Sequence, residues 1–228
     1  MIDHARDLES LREATDRLLG AAAALDNAAV AEPSRLPGWS RGHVLAHIAR
    51  NADALANVLE GRPMYTDSTT RDADIERDAP RPLAVQLDDV RNTADGFRHS
   101  AARSVDWSRV VTLRNGVTDT AARVPFRRWI EVELHHVDLG LGSELEDLSA
   151  EFTEREIGFL AERFSGNPAV PALTLSAPDG RTWRTGRREG AALAVTGPAP
   201  DLLGWLAGRR DGAALDLAGG ELPVLPPL

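Results

Sequence analysis

A stretch near the middle of the chain, residues 128–139, carries a carboxylate and an imidazole at a spacing that suits metal binding. Its apolar residues recur with the period of a helix: Ile130, Leu134, Val137 and Leu141. On such a helix Glu131 and His135 lie one above the other on one face, about 40° apart around the axis. Borderline divalent cations such as Zn²⁺ accept both carboxylate oxygen and imidazole nitrogen. The spacing therefore predicts two ligands of a metal site, and a third must come from elsewhere in the chain.

Histidine is scarce, so few positions can supply the third ligand: His4, His43, His47, His99, His135 and His136. Two of these lie in a second amphipathic segment. Around that helix His47 falls at the edge of the apolar arc beside Asn51, whereas His43 lies further towards solvent. A ligand that faces the interior of a bundle is expected at the position of His47. We therefore predict that His47, Glu131 and His135 bind one divalent cation and leave coordination positions open, as in catalytic zinc sites.

The same helix leaves alternatives open. Glu133 and His136 form a rival pair at i and i+3, the spacing of carboxylate-bridged helical bundles, and both pairs fall in gaps between apolar positions. Glu131 with His135 is also compatible with an ordinary surface pair. Asp138 is either an acceptor for a ligand histidine or a residue of the last helical turn, and we prefer the turn.

Four segments with helical periodicity are expected to position these residues, at about 3–29, 40–60, 82–102 and 125–142. Ser40 is a good N-cap for the second segment, Gly61 and Pro63 end it, and Pro82 suits the first position of the third. Four such segments predict an antiparallel four-helix bundle. The polar stretch at 64–81 lacks periodicity and is long enough to be a lid or a site loop.

After Glu144 the pattern changes to short β-like runs separated by turns. Helices are predicted at 153–164 and 198–207, and strands at 172–176, 182–184, 192–196 and 213–217. We therefore predict an α+β protein that consists of a bundle domain, residues 1–148, and a small α/β C-terminal domain, residues 149–228.

The composition excludes several classes of function. The formal net charge of −9 argues against nucleic acid as a partner, because phosphate binding needs concentrated basic charge. No apolar run has transmembrane length, and the acidic N-terminus lacks the apolar region of a signal peptide, so we expect a cytoplasmic protein, and a monomer. The chain contains no cysteine, and its 26 lysine or arginine positions are all arginine. This excludes disulfides, a thiol nucleophile of the protein's own and Schiff bases on lysine.

Two of the predicted helical segments resemble the signatures of a known family. Residues 36–55, LPGWSRGHVLAHIARNADAL, resemble the N-terminal signature of the mycothiol-dependent maleylpyruvate isomerases. Residues 131–139, EVELHHVDL, resemble their second signature, and residues 205–209, WLAGR, show a weaker likeness. The resemblance extends over almost the whole chain. It implies a DinB-like metal-binding four-helix bundle followed by a small α/β C-terminal domain.

The resemblance also implies a site and a reaction. The family binds zinc through two histidines and one glutamate of the bundle, which fall here on His47, Glu131 and His135. An arginine of the C-terminal domain that is important for activity falls on Arg209, with Arg210 beside it. The implied cofactors are Zn²⁺ and mycothiol, and the implied reaction is the cis–trans isomerisation of maleylpyruvate to fumarylpyruvate in gentisate degradation. A thiolate would add reversibly to the C=C bond, while the arginine would pair with a carboxylate of this small dicarboxylate.

Other functions are compatible with the same residues. A mycothiol-dependent S-transferase, or another thiol-dependent enzyme, would use the same scaffold on a different electrophilic substrate. A metal-binding regulator or stress protein would bind metal without binding a thiol. In a plain helical domain the histidines would only pack, and Arg209 would be a helix-end arginine that interacts with the helix dipole.

Overall fold

The computed structural model describes residues 2–67, 69–103, 105–218 and 221–227. The chain forms two compact units, Met1–Ser143 and Glu144–Leu228. The first is helical, and the second contains a small sheet. The predicted class, an α+β protein with a four-helix bundle followed by a small α/β domain, is confirmed.

The first unit is built on four long helices. Its elements are α1 (His4–Ala22), α2 (Asn27–Ala31), α3 (Arg41–Leu59), α4 (Thr70–Asp78), α5 (Leu83–Ala102), β1 (Val110–Thr112), β2 (Thr118–Thr120) and α6 (Val124–Asp138). Helix α3 packs against α5 and α6, and α1 packs against α6 and α5. Strands β1 and β2 pair antiparallel as a hairpin before α6. The apolar faces of the long helices form the core, which includes Leu18, Leu45, Ile48, Val90, Phe97 and Val132.

Two predictions of helix extent are wrong. The segment predicted as one helix over 3–29 is divided, because Asp26 accepts a hydrogen bond from the Ala29 N–H and caps a new short helix, α2. The break is therefore made by a side-chain cap rather than by glycine or proline. The stretch 64–81, predicted as a loop, contains α4. This helix buries only Ile75 and Asp78, so it has too few apolar residues to show a helical period.

The start of α3 is fixed by a cap and by a close approach. The Ser40 hydroxyl accepts from the His43 N–H, and the His43 ring accepts from the Ser40 N–H. Gly42 follows on the face that meets the end of α4. A Cβ at Gly42 would lie 2.3 Å from the carbonyl oxygen of Ala79. Backbone cannot yield at that distance, so this position requires glycine.

Gly42→Ala and Gly20→Ala should therefore have opposite effects on stability. Alanine is the better helix former, and a Cβ at Gly20 in α1 meets no atom within 4 Å, so Gly20→Ala should raise the free energy of unfolding by about 0.5–1 kcal/mol. Gly42→Ala should lower it by about 1–3 kcal/mol through overpacking. Urea denaturation followed by circular dichroism measures both. A stabilised Gly42→Ala variant would show that α4 does not press against α3.

A buried carboxylate fastens the end of α4 to the bundle. Asp78 is 3% exposed and is paired with Arg77 at 2.8 Å and Arg81 at 2.7 Å, with Arg50 of α3 at 3.7 Å. Asp89 of α5 binds both Arg50 and Arg81. Burial would raise the pKa of Asp78, but the hydrogen bond from Arg77 and the charges of Arg81 and Arg50 lower it. The C-terminal end of α4 is thereby held to α3 and α5.

The second unit combines two helices with a mixed sheet. Its elements are α7 (Ala150–Phe164), β3 (Leu173–Ser176), β4 (Thr182–Thr185), β5 (Leu193–Thr196), α8 (Ala199–Leu206) and β6 (Asp216–Leu217). The strand order is β4-β3-β5-β6, in which β3 and β5 run parallel and the other neighbours antiparallel. Helix α7 packs against α8 and β4. The strand predicted over 213–217 is shorter than expected, and α7 begins three residues earlier because Ser149 caps it.

Across the described stretches of the chain, no helix has both the length and the apolar character needed to cross a bilayer.

Candidate metal centre

Three side chains predicted from the sequence meet between α3 and α6. The Nε2 atom of His47 lies 2.9 Å from the Oε2 atom of Glu131, and the Nε2 atom of His135 lies 3.3 Å from the same oxygen. One potential ligand atom from each residue lies within 4.8 Å of the other two. Both histidines are buried, while Glu131 is partly exposed. Two imidazoles and one carboxylate in this arrangement suit a single divalent cation with coordination positions left open.

The register of α3 against α6 explains why distant residues meet. His47 is two turns into α3, and its ring packs edge-on against the ring of His135, with centroids 4.6 Å apart. One turn further along the same two helices, Arg128 donates to the side chain of Asn51 at 2.9 Å. Arg128 is 1% exposed, and burial lowers its pKa to about 10. Two successive layers of polar contacts therefore fix how α3 and α6 face each other.

The ring nitrogen of His135 that does not contact Glu131, Nδ1, has a carboxylate partner. This atom lies 2.8 Å from the Oδ2 atom of Asp138, which is 1% exposed. Our preference for Asp138 as a turn residue is therefore wrong, because its side chain turns back along the helix to His135. Metal-binding histidines usually donate their outer N–H to such an acceptor, which fixes the ring and leaves the other nitrogen available.

The charges of the cluster favour one ionised carboxylate between two different imidazoles. Burial would raise the pKa of Glu131, but hydrogen bonds from His135 and His47 hold it well below its usual range. Burial lowers the pKa of His47 to about 4, so this ring is neutral at pH 7. Burial would also lower the pKa of His135, but hydrogen bonds to Asp138 and Glu131 outweigh it and raise the pKa. A cation binds the neutral ring, so metal binding at His135 works against this raised pKa.

The second ring nitrogen of His47, Nδ1, faces the guanidinium of Arg71. The Nη2 atom of Arg71, from α4, donates to His47 Nδ1 at 3.3 Å. The guanidinium of Arg71 also lies over the ring of Trp39, 6.0 Å from its centroid. Tyr65, the one tyrosine of the chain, is half-buried. Its hydroxyl lies near enough to Arg71 and Glu131 for both charges to influence its pKa. Tyr65 also lines a groove of about 750 Å³ with Arg62, Arg109 and Arg114.

Neither Arg71 nor Tyr65 was identified from the sequence. Both belong to the stretch 64–81, whose length predicted a site loop but whose pattern pointed to no particular side chain. The chemistry of the stretch becomes visible only when α4 places Arg71 against His47.

His43 and Glu133, which the sequence offered as rivals of His47 and Glu131, have other partners. His43 contacts the Ser40 hydroxyl at 2.7 Å and caps α3, so it lies outside the cluster. Glu133 accepts from Arg17 at 2.7 Å and from Trp129 at 2.9 Å, and therefore faces α1 rather than His47. These contacts favour Glu131 over Glu133 as the ligand.

Arg209 lies in the second unit, just after α8. Its Nη1 atom donates to the carbonyl oxygen of Ala207 at 2.7 Å. Its neighbour Arg210 is held by two carboxylates, Asp201 and Glu146, each at 2.7 Å. These two carboxylates hold Arg210 within the second unit.

Comparison with known proteins relates both units to one group of enzymes. Residues 11–140 match the family described as mycothiol maleylpyruvate isomerase N-terminal domain, and residues 147–227 match the MDMPI C-terminal domain. The fold is similar to the crystal structure of the mycothiol-dependent maleylpyruvate isomerase, with a TM-score of 0.90, 23% sequence identity and coverage of 99% of this chain and 97% of that one. A crystal structure of a histidine-to-alanine variant of that isomerase gives a TM-score of 0.89 at 22% identity, with the same coverage of both chains. Curated proteins yield no match.

Proposed function

The chain belongs to the mycothiol maleylpyruvate isomerase family, and on this premise we propose that it is a zinc- and mycothiol-dependent cis–trans isomerase that converts maleylpyruvate to fumarylpyruvate. The observation that carries the proposal is the convergence of His47, Glu131 and His135 on one point. In the order of the chain and in residue type, these are the positions that the family resemblance assigns to zinc.

The donor set of the cluster fits zinc. Two imidazole nitrogens and one carboxylate oxygen are ligands that Zn²⁺ accepts, and three protein ligands leave room for a further ligand. When bound, the ion supplies a positive charge that lowers the pKa of a thiol beside it. Asp138 holds the ring of His135 so that Nε2 faces the site. Glu131, ionised between both imidazoles, supplies the single negative charge of the ligand set.

Isomerisation requires the C=C bond to become a single bond for the time of rotation. When bound, mycothiol would supply a thiolate that adds reversibly to the alkene, so that the bond is single during rotation and both the C=C bond and the thiolate are restored when the sulfur leaves. No atom is gained or lost, and the chain needs no cysteine of its own. The protein's residues bind the substrate, orient the reacting atoms and keep the thiol ionised.

We further propose that Arg209 binds one carboxylate of the substrate. A guanidinium fork matches a carboxylate with two parallel hydrogen bonds. The family resemblance assigns this role to Arg209, which lies just after α8. We also propose that the enzyme acts as a monomer in the cytoplasm, without nucleic acid or membrane partners.

The test is turnover of maleylpyruvate by the zinc-loaded protein with mycothiol, followed by absorbance and by chromatography of the product. We expect fumarylpyruvate to accumulate while the concentration of free thiol stays constant, because the thiol is regenerated. Stoichiometric loss of thiol would instead identify an S-transferase on the same scaffold. Metal binding without measurable binding of mycothiol in calorimetry would contradict both enzymatic functions.

A further inference from the structure

The two histidines of the cluster differ in what faces their outer nitrogens. His135 presents Nδ1 to the carboxylate of Asp138, whereas His47 presents Nδ1 to the guanidinium of Arg71. A guanidinium has five N–H donors and no acceptor. The contact with Arg71 therefore requires that Nδ1 of His47 carries no hydrogen. The geometry allows this, because Nε2 of His47 lies 2.9 Å from Oε2 of Glu131, which can accept an Nε2–H.

Binding of a metal cation through Nε2 of His47 would put a hydrogen on Nδ1, and Nδ1 could then no longer accept from Arg71. A neutral imidazole has one N–H, so an Nε2 atom that gives its lone pair to a cation leaves the hydrogen on Nδ1. The Nδ1–H and the guanidinium of Arg71 then face each other as two donors. An oxygen of an anion placed between them would accept from both, and would also satisfy the rule that a ligand histidine donates its outer N–H to an acceptor.

The surroundings of Arg71 suit recognition of a small anion. Its side chain is 17% exposed, and the ring of Trp39 supports the plane of its guanidinium. Its present ion pair is with Asp72, whose side chain is 63% exposed, so this pair competes only weakly with another carboxylate. Burial raises the pKa of Tyr65, which therefore keeps its hydroxyl proton and can donate to a bound oxygen.

The groove that Tyr65 lines offers space for an anionic ligand. Its volume lies within the range of small-molecule sites, and Arg109 and Arg114 are among the residues that line it. This concentration of arginine contrasts with the formal net charge of −9 of the chain. Cationic walls in an acidic protein raise the local concentration of anions.

We propose that Arg71 binds a carboxylate of the substrate next to the metal, with the outer N–H of His47 as the second donor. The inference rests on the proposed function, since it assigns one carboxylate of a dicarboxylate substrate to Arg71. It goes beyond the signatures, because Arg71 lies outside residues 36–55, 131–139 and 205–209.

Calorimetric titration of maleate into the zinc-loaded protein, with no thiol present, tests this role without turnover. We expect Arg71→Gln to weaken maleate binding about 10- to 100-fold, as loss of a charge-assisted hydrogen-bonded pair would, and Arg71→Lys to recover part of the affinity. Arg77→Gln is the matched control, because Arg77 lies on the same helix, is 61% exposed and pairs with Asp74 and Asp78. It should bind maleate like the wild type.

Three further measurements on Arg71→Gln separate recognition of the substrate from support of the metal site. Its zinc content and its affinity for mycothiol should match those of the wild type, and in turnover KM for the substrate should rise more than kcat falls. Unchanged maleate affinity and unchanged KM would overturn the assignment. Loss of zinc from Arg71→Gln would also overturn it, because Arg71 would then act by holding His47. Failure of the proposed function would look different: the wild type itself would neither bind mycothiol nor isomerise maleylpyruvate.

Discussion

His47→Ala and His135→Ala are expected to abolish stoichiometric metal binding, with a loss of zinc affinity larger than the roughly 10- to 100-fold that follows removal of a ligand's hydrogen-bond partner. Each substitution removes one of the three side chains that we propose as ligands. The two that remain cannot hold a cation against dialysis, and isomerisation should fall to background with the metal. Plasma mass spectrometry after equilibrium dialysis gives the metal content of each variant directly.

His43→Ala is the matched control for these substitutions. His43 lies on the same helix as His47, one turn earlier, but its ring caps Ser40 instead of facing the cluster. Its loss should cost about 1 kcal/mol of stability and leave the metal content near one ion per chain. An equimolar metal content in His47→Ala would exclude His47 as a ligand. Circular dichroism would show whether the alanine variants keep the helical content of the wild type.

Turnover should depend completely on an added thiol. The chain contains no cysteine and no lysine, so neither a thiolate nor an amine of the protein can form the reversible bond to the alkene. The zinc-loaded protein alone should show no isomerisation above the uncatalysed rate. The rate should rise with mycothiol and then saturate, as expected for a cofactor that binds to a site.

Alkylation of thiols with iodoacetamide tests the same prediction more directly. Protein treated with iodoacetamide and then dialysed should keep its activity, since it presents no thiol to the reagent, whereas mycothiol treated in the same way should support none. Isomerisation by the protein without any thiol would contradict the addition–elimination route. It would point instead to polarisation of the substrate by the metal site alone.

The sequence was sufficient to predict which three side chains meet, because each position was set by helical geometry. Glu131 and His135 are four residues apart, and that spacing alone places them on one face of α6. His47 was chosen over His43 by its position at the edge of the apolar arc, and the structure places it against Glu131. The predicted resemblance to the mycothiol-dependent maleylpyruvate isomerases is confirmed by the family matches over 11–140 and 147–227.

The parts of the site that were not predicted depend on contacts without a sequence period. Asp138 reaches His135 through a side-chain torsion that spacing does not specify. Arg71 comes from α4, a helix held by ion pairs at Asp78 rather than by an apolar stripe, so hydropathy could not reveal it. The break at Asp26 depends on one cap. An N-cap contributes about 1 kcal/mol to the free energy of a helix, and a difference this small between a capped break and a continuous helix leaves no trace in the hydrophobic periodicity.

The fastening of α4 at Asp78 separates two tasks along the chain. The predicted ligands lie on α3 and α6. The side chains that we propose to contact the substrate, Tyr65 and Arg71, lie before the C-terminal end of α4 that Asp78 holds. Exchange of residues 64–74 between members of the family would thus transplant selectivity and leave the reactive centre in place. A combinatorial library restricted to that stretch is the natural starting point for redirecting such a protein to new electrophiles.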